Sequence, residues 1–116
     1  MGRTQQRKGR GGELELCRIL NEEGLPVSPG MPLSFGGTPD LVGLPGVHIE
    51  VKRTERLNLR AAMEQAERDA LAFQDGAPAV FHRQNRRPWL VTMRLDDWIR
   101  LYQGGGYRDG TAEEIR

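Results

Sequence analysis

Apolar positions recur with two different periods along this 116-residue chain, and the periods divide it into helices and strands. From Gly11 to Glu23 the spacing is helical. Leu16, Cys17 and Leu20 share a face with Ile19 beside them, while Glu15, Arg18 and Glu22 take the wet side at i, i+3 and i+4 spacings. Gly24 follows as a C′ residue that ends the helix. Glu13 precedes Leu16 and Cys17 by three and four positions, so a carboxylate stands at the N-terminal end of the buried stripe, facing inward. Residues 25–38 carry Pro26, Pro29 and Pro32 among glycines and serines and predict a loop with at most one short strand near Val27. Asp40 to Leu44 reads as a strand, and Pro45-Gly46 as a turn. Val47 to Arg53 then alternates: Val47, Ile49 and Val51 face one way, His48, Glu50 and Lys52 the other. The two runs predict a hairpin with Asp40 on one strand and Glu50 on its partner.

Asn58 can cap a helix running to about Gln74, with Leu59, Ala62, Met63, Ala66, Ala70 and Phe73 as its apolar stripe. Gln65 lies at the boundary of that stripe, about 100° from Ala66. Gly76 marks the stop. Ala77 to His82 and Trp89 to Met93 read as two more strands, joined by a polar loop that holds Arg83, Arg86 and Arg87. Leu95 to Tyr102 predicts a short helix with Asp96 and Asp97 in its first turn, where the dipole favours acids. Trp89 and Trp98 are expected in the core. The order predicts an α/β fold, helices packed on a central mixed sheet. Three segments follow: a basic, mobile arm over residues 1–10, one domain over 11–102, and a Gly-rich, charged tail over 103–116.

Composition changes this picture in two places. The formal net charge is only +1, but the cations are clustered. Arg3, Arg7, Lys8 and Arg10 lie in the arm, Lys52, Arg53, Arg56 and Arg60 form a second cluster from the end of the alternating strand, and Arg83, Arg86 and Arg87 fill the polar loop. Clusters of this kind suit phosphate contacts, although each alone is also compatible with a solvated surface. Secondly, the chain has 15 arginines and two lysines, and one of the two is Lys52, beside Glu50. Cys17 is the single cysteine, so neither a disulfide framework nor a thiolate metal cluster is expected, and a cytoplasmic setting fits. No stretch has signal-peptide or membrane-spanning character.

Glu50 and Lys52 are two apart on a strand, so both point to one face, roughly 6.5–7 Å apart along it. Asp40 enters from the neighbouring strand, and the Val51 carbonyl lies between the two side chains. Two carboxylates, a carbonyl and waters make a hard oxygen cage suited to Mg²⁺ or Mn²⁺. A cation there would polarise a phosphate oxygen and acidify a water. Lys52 could position that water or stabilise charge on the phosphorus oxygens, a task for which arginine is a poor substitute. The alternative is an ordinary same-face Glu–Lys pair on a surface strand, worth little. His48 shares the Glu50 face and reads as a polar residue near the strand end.

Pro39-Asp40 followed by Glu50-Val51-Lys52 resembles the PD-(D/E)XK nuclease motif. Lys8-Gly9-Arg10-Gly11-Gly12-Glu13 resembles the Lys-Gly-x-x-x-Glu opening of archaeal-type and phage Holliday junction resolvases, and Glu64-Gln65-Ala66-Glu67 the helix that follows the motif in the same proteins. The resemblance covers roughly residues 7–102. It implies the restriction-endonuclease-like fold, phosphodiester hydrolysis with Mg²⁺ or Mn²⁺, and a homodimer. It further implies that Asp40, Glu50 and the Val51 carbonyl hold metal, that Glu13 binds it directly or through water, that Lys52 serves the attacking water, and that Gln65 supports the lysine. A catalytic serine or threonine in the preceding loop would be Ser34 or Thr38; ordinary turn chemistry is the alternative.

These readings lead to a structure-selective DNA endonuclease making paired nicks in four-way junctions, with Arg7, Lys8, Arg10, Arg53, Arg56, Arg83, Arg86 and Arg87 gripping backbone phosphates. Gly37-Thr38-Pro39-Asp40 also resembles VRR-NUC-type nucleases, which implies cutting of flaps, single strands or duplex ends. A DNA-binding module without catalysis is the third possibility, and the chemically competent side chains at every motif position argue against it. The small size would suit a phage or prophage gene.

Overall fold

The structure is a computed structural model that describes residues 2–32 and 37–106. Three helices and five strands follow one another: α1 (Gly2–Glu22), β1 (Ser28–Pro29), β2 (Leu41–Val42), β3 (Val47–Arg53), α2 (Leu59–Phe73), β4 (Ala77–Arg83), β5 (Leu90–Met93) and α3 (Leu95–Leu101), with a π-helical turn over Tyr102–Gly106. The strands form one open mixed sheet in the order β1-β2-β3-β4-β5. Only the β3–β4 pair is parallel. It has to be, because α2 carries the chain back across the sheet between them, whereas the other neighbours are joined by loops that reverse its direction. The register Leu41↔Ile49 between β2 and β3 makes the hairpin that the sequence predicts.

Two layers of helix enclose the middle of the sheet. Leu16 of α1 packs with Val27, Leu41, Ile49, Val51, Ala79 and Phe81 on one face, and Ala62, Met63 and Ala66 of α2 pack with Val80 on the other. Strand β3 is therefore buried on both faces from His48 to Val51. The alternation of Val47 to Arg53 is real, but its polar face lies under α2 rather than in solvent.

Helix α2 starts and stops close to the predicted points. Asn58 caps it by accepting from the Ala61 N–H at 3.0 Å, and Gln74 ends it in a left-handed turn at φ 54°, with its N–H bonded to the Ala70 carbonyl. Gly76 follows with φ 133°, where a Cβ would overlap the Gly46 carbonyl group and the Val47 nitrogen. That contact seats the start of β4 against the β2–β3 turn. At Gly12 the close approach is of helix to sheet: a Cβ there would lie 2.5 Å from Cβ of Arg53. The missing side chain lets α1 sit down on the end of β3 and carries Glu13 to the site.

Three expectations change. Helix α1 begins at Gly2 rather than Gly11, so the backbone of residues 2–10 continues it; arginine, glutamine and lysine are good helix formers and prolong a helix that Leu16 already anchors. The strand expected from Asp40 to Leu44 shrinks to Leu41–Val42, because Gly43 turns to φ 124° against Pro26 and breaks the extended backbone. Asp40 itself stands just before the strand. Trp98 is exposed rather than in the core and stacks on Tyr102, ring centroids 5.2 Å apart. Trp89, by contrast, packs against the α1-side cluster. Residues 107–116 of the predicted tail lie outside the described residues.

Candidate active site

The end of β3 places Glu50 and Lys52 under α2, and the β2 side brings Asp40 to the edge of the same strand. Asp40 Oδ2 accepts from the Val51 N–H at 2.8 Å. In an extended strand a residue's N–H and C=O point to the same side, so the Val51 carbonyl faces the Asp40 edge as well. Burial pushes the Asp40 carboxyl up to about 7 from its usual 3.8; the Val51 hydrogen bond pulls it down, Glu50 and Glu13 raise it, and Lys52 lowers it. Glu13, Asp40, Glu50 and Lys52 are thus electrostatic neighbours, although they come from a helix, a bend and a strand.

Lys52 is held from the helix side. Its ammonium donates to Gln65 Oε1 at 3.0 Å and lies 4.0 Å from Glu50 Oε2. Gln65, at the edge of the α2 stripe, reaches the lysine because an amide side chain is long enough to cross from that edge to the sheet.

On its other side Glu50 meets a partner that strand alternation alone does not announce. His48 is 1% exposed and Glu50 4%, and His48 Nε2 stands 3.2 Å from Glu50 Oε1. Nδ1 of the same ring lies 3.0 and 2.9 Å from the two oxygens of Asp75, at the α2–β4 junction. Burial alone would lower the His48 pKa; the hydrogen bonds to Glu50 and Asp75 outweigh it and leave the pKa raised above 6.5. Phe73 leans on the ring at 5.8 Å. His48 is therefore no strand-end surface residue. Its face-sharing with Glu50 is visible in the sequence, but Asp75 lies 27 positions away and carries no signal there.

Two groupings of ligand atoms result. Asp40, Glu50, Glu13 and the Val51 carbonyl edge offer oxygen only, and burial first, then the charges of Glu50 and Glu13, raise the Asp40 pKa. That donor set fits a hard divalent cation such as Mg²⁺ or Mn²⁺. His48, Glu50 and Asp69 of α2 form a tighter cluster that could hold a metal ion, with their ligand atoms all within 4.8 Å of one another.

The basic residues divide. Arg53 and Arg83 are tied to acids: both reach Glu15 Oε1, at 3.8 and 3.5 Å, and Arg53 also meets Glu55 and Asn85. In the DNA-free chain they brace α1, β3 and β4 against one another. Arg56, Arg86 and Arg87 are exposed and make no side-chain ion pair among the described residues. Their loops are joined, since Glu55 accepts from Gln84 Nε2 with its carbonyl and from the Asn85 N–H with its carboxylate, both at 2.7 Å. Arg7, Lys8 and Arg10 lie on the first half of α1. Thr38 is exposed, and Ser34 lies outside the described residues.

Comparison of the chain with protein-family models, curated proteins and solved structures finds no match.

Proposed function

We propose that the chain is a metal-dependent DNA endonuclease of the PD-(D/E)XK type, with the restriction-endonuclease-like fold, and that its substrate is a four-way junction. The observation that carries this reading is the grouping around β3: Asp40 bonded to the Val51 N–H, Glu50 beside it, and Lys52 held by Gln65. These are the positions on which the resemblance to the motif rests.

Asp40 and Glu50, with the Val51 carbonyl and Glu13, would hold Mg²⁺ or Mn²⁺. The ion supplies Lewis acidity to a phosphate oxygen and acidifies a water. Gln65 keeps the Lys52 ammonium at the mouth of the carboxylate group, where it orients the attacking water or meets the negative charge that builds on phosphorus. Arg56, Arg86 and Arg87 fix the backbone without reading bases. A homodimer would present two such sites for two symmetric cuts. Exposed Leu90 and Val91 on the edge strand β5, with Leu95, Trp98 and Leu101 of α3, offer the apolar surface that a dimer needs.

The test is cleavage of labelled four-way junction, flap, single strand and duplex with Mg²⁺, Mn²⁺ or EDTA. Paired symmetric nicks confined to the junction are expected with metal and none with EDTA. Cutting of flaps or ends alone would move the substrate to the VRR-NUC class, and binding without cutting under every metal would leave a DNA-binding module. Asp40→Asn and Lys52→Ala should each abolish cutting while junction binding persists; normal cutting by either variant would sink the site assignment.

A further inference from the structure

The buried imidazole on the far side of Glu50 is not explained by hydrolysis. Asp75 presents both carboxylate oxygens to His48 Nδ1 at 2.9–3.0 Å. A carboxylate only accepts, so Nδ1 carries a proton, and Nε2 is the nitrogen that can take either a second proton or an ion. That nitrogen faces the Glu50 carboxylate at 3.2 Å, with Asp69 completing a cluster of ligand atoms within 4.8 Å. In the neutral ring that lone pair meets carboxylates, so either a second ring proton or a cation stands between them. A second ring proton would serve Glu50 alone. Asp69 would keep no hydrogen-bond donor or ion-pair partner among the described residues. A metal ion would serve all three.

We propose that His48 Nε2, one Glu50 oxygen and one Asp69 oxygen form a second cation site, built for a borderline transition ion of the Zn²⁺ class. Ligand atoms about 2.1 Å from one ion stand about 3–3.5 Å apart, and the His48–Glu50 separation already lies in that range. An imidazole nitrogen favours Zn²⁺ over Mg²⁺, which prefers oxygen alone. Asp75 is the outer carboxylate that fixes the ring's tautomer and orientation, the usual companion of a metal-bound histidine. Asp69 reaches the ion from α2, four positions beyond Gln65, so the helix face that holds Lys52 also closes this site. Glu50 is common to both groups. The site does not depend on DNA cleavage: a chain that never cut DNA would still bind the ion here.

The test uses the full chain and Zn²⁺, read by long-range ¹H–¹⁵N NMR of the two histidines. His82, bonded to Thr92 Oγ1 at 2.9 Å, serves as the internal reference. Zn²⁺ should shift His48 Nε2 and leave His82 in place, and Mg²⁺ should shift neither. Asp69→Asn, at a half-buried position on the helix surface, should weaken the Zn²⁺ response at least about tenfold, and Asp75→Asn about 10–100-fold. Asp40→Asn should keep it. A His48 Nε2 signal unmoved at saturating Zn²⁺ overturns the proposal. So does a response that survives Asp69→Asn but vanishes in Asp40→Asn, which would put the ion on the other side of Glu50.

Discussion

Asp40 shows at the scale of one residue how burial and charge combine. Its carboxyl titrates near 7 in the folded chain against 3.8 for the ordinary group, so the fold holds a proton that the unfolded chain has released. A raised carboxyl pKa makes deprotonation oppose folding, and stability in EDTA should fall as pH rises from about 4 to about 7. His48 acts in the same direction, since its folded pKa is also raised and its contribution fades as pH rises through that value. Urea melts at about pH 5 and about pH 8 should show the loss. Asp40→Asn should flatten the profile across the lower part of that window. Gln65 offers a second test. It touches Lys52 and, under the nuclease reading, no reacting atom, so Gln65→Ala should lower kcat about tenfold with little change in junction affinity. Glu50 and Lys52 share a face legible from strand alternation, and Asp40 comes beside them through the β2–β3 hairpin. Gln65 comes from resemblance alone. The part played by His48 is hidden, because it depends on Asp75 arriving from the far end of α2.

At the scale of elements, the two adjacent glycines of α1 answer different demands. Gly11 has no atom within 4 Å of a built Cβ, whereas Gly12 meets Cβ of Arg53 at 2.5 Å. Gly11→Ala should therefore raise stability by about 0.5–1 kcal/mol, the helix-propensity gain. Gly12→Val should lower it by about 1–3 kcal/mol through overpacking, and should displace Glu13 enough to impair cleavage. Urea midpoints of the two variants read both effects. Element types are largely legible here: α2, β3, β4 and the β2–β3 hairpin follow from periodicity, an N-cap and a turn dipeptide. The burial of both faces of β3 is not, since alternation looks alike whether the polar face meets water or a second helix. The length of α1 escapes for a related reason, as residues 2–10 carry no apolar stripe to announce a helix.

The molecule as a whole presents one open sheet, and among the described residues no helix is long and apolar enough to cross a membrane. The parallel pairing of β3 and β4 brings the loops after both strands to one end of the sheet, where Glu55 fastens them together. Arg56, Arg86 and Arg87 thereby share a surface although the chain separates them. Replacing Arg86 and Arg87 with alanine should weaken binding to every DNA form alike. The slope of log affinity against log salt should become shallower by about one for each phosphate that the variant no longer neutralises. A fluorescence-anisotropy salt series measures it; an unchanged slope would place the DNA elsewhere.

Glu15 joins these scales, because one carboxylate on α1 restrains both Arg53 and Arg83. Two guanidinium groups that could grip a passing backbone are thus kept occupied at home. A nuclease that clung to any duplex would spend its time on the wrong molecules and leave slowly after each cut. Under the nuclease reading, Glu15 would act as a brake on that adhesion. Glu15→Gln should release it: plain duplex should be held more tightly, dissociation should slow, and the preference for branched over linear DNA should narrow.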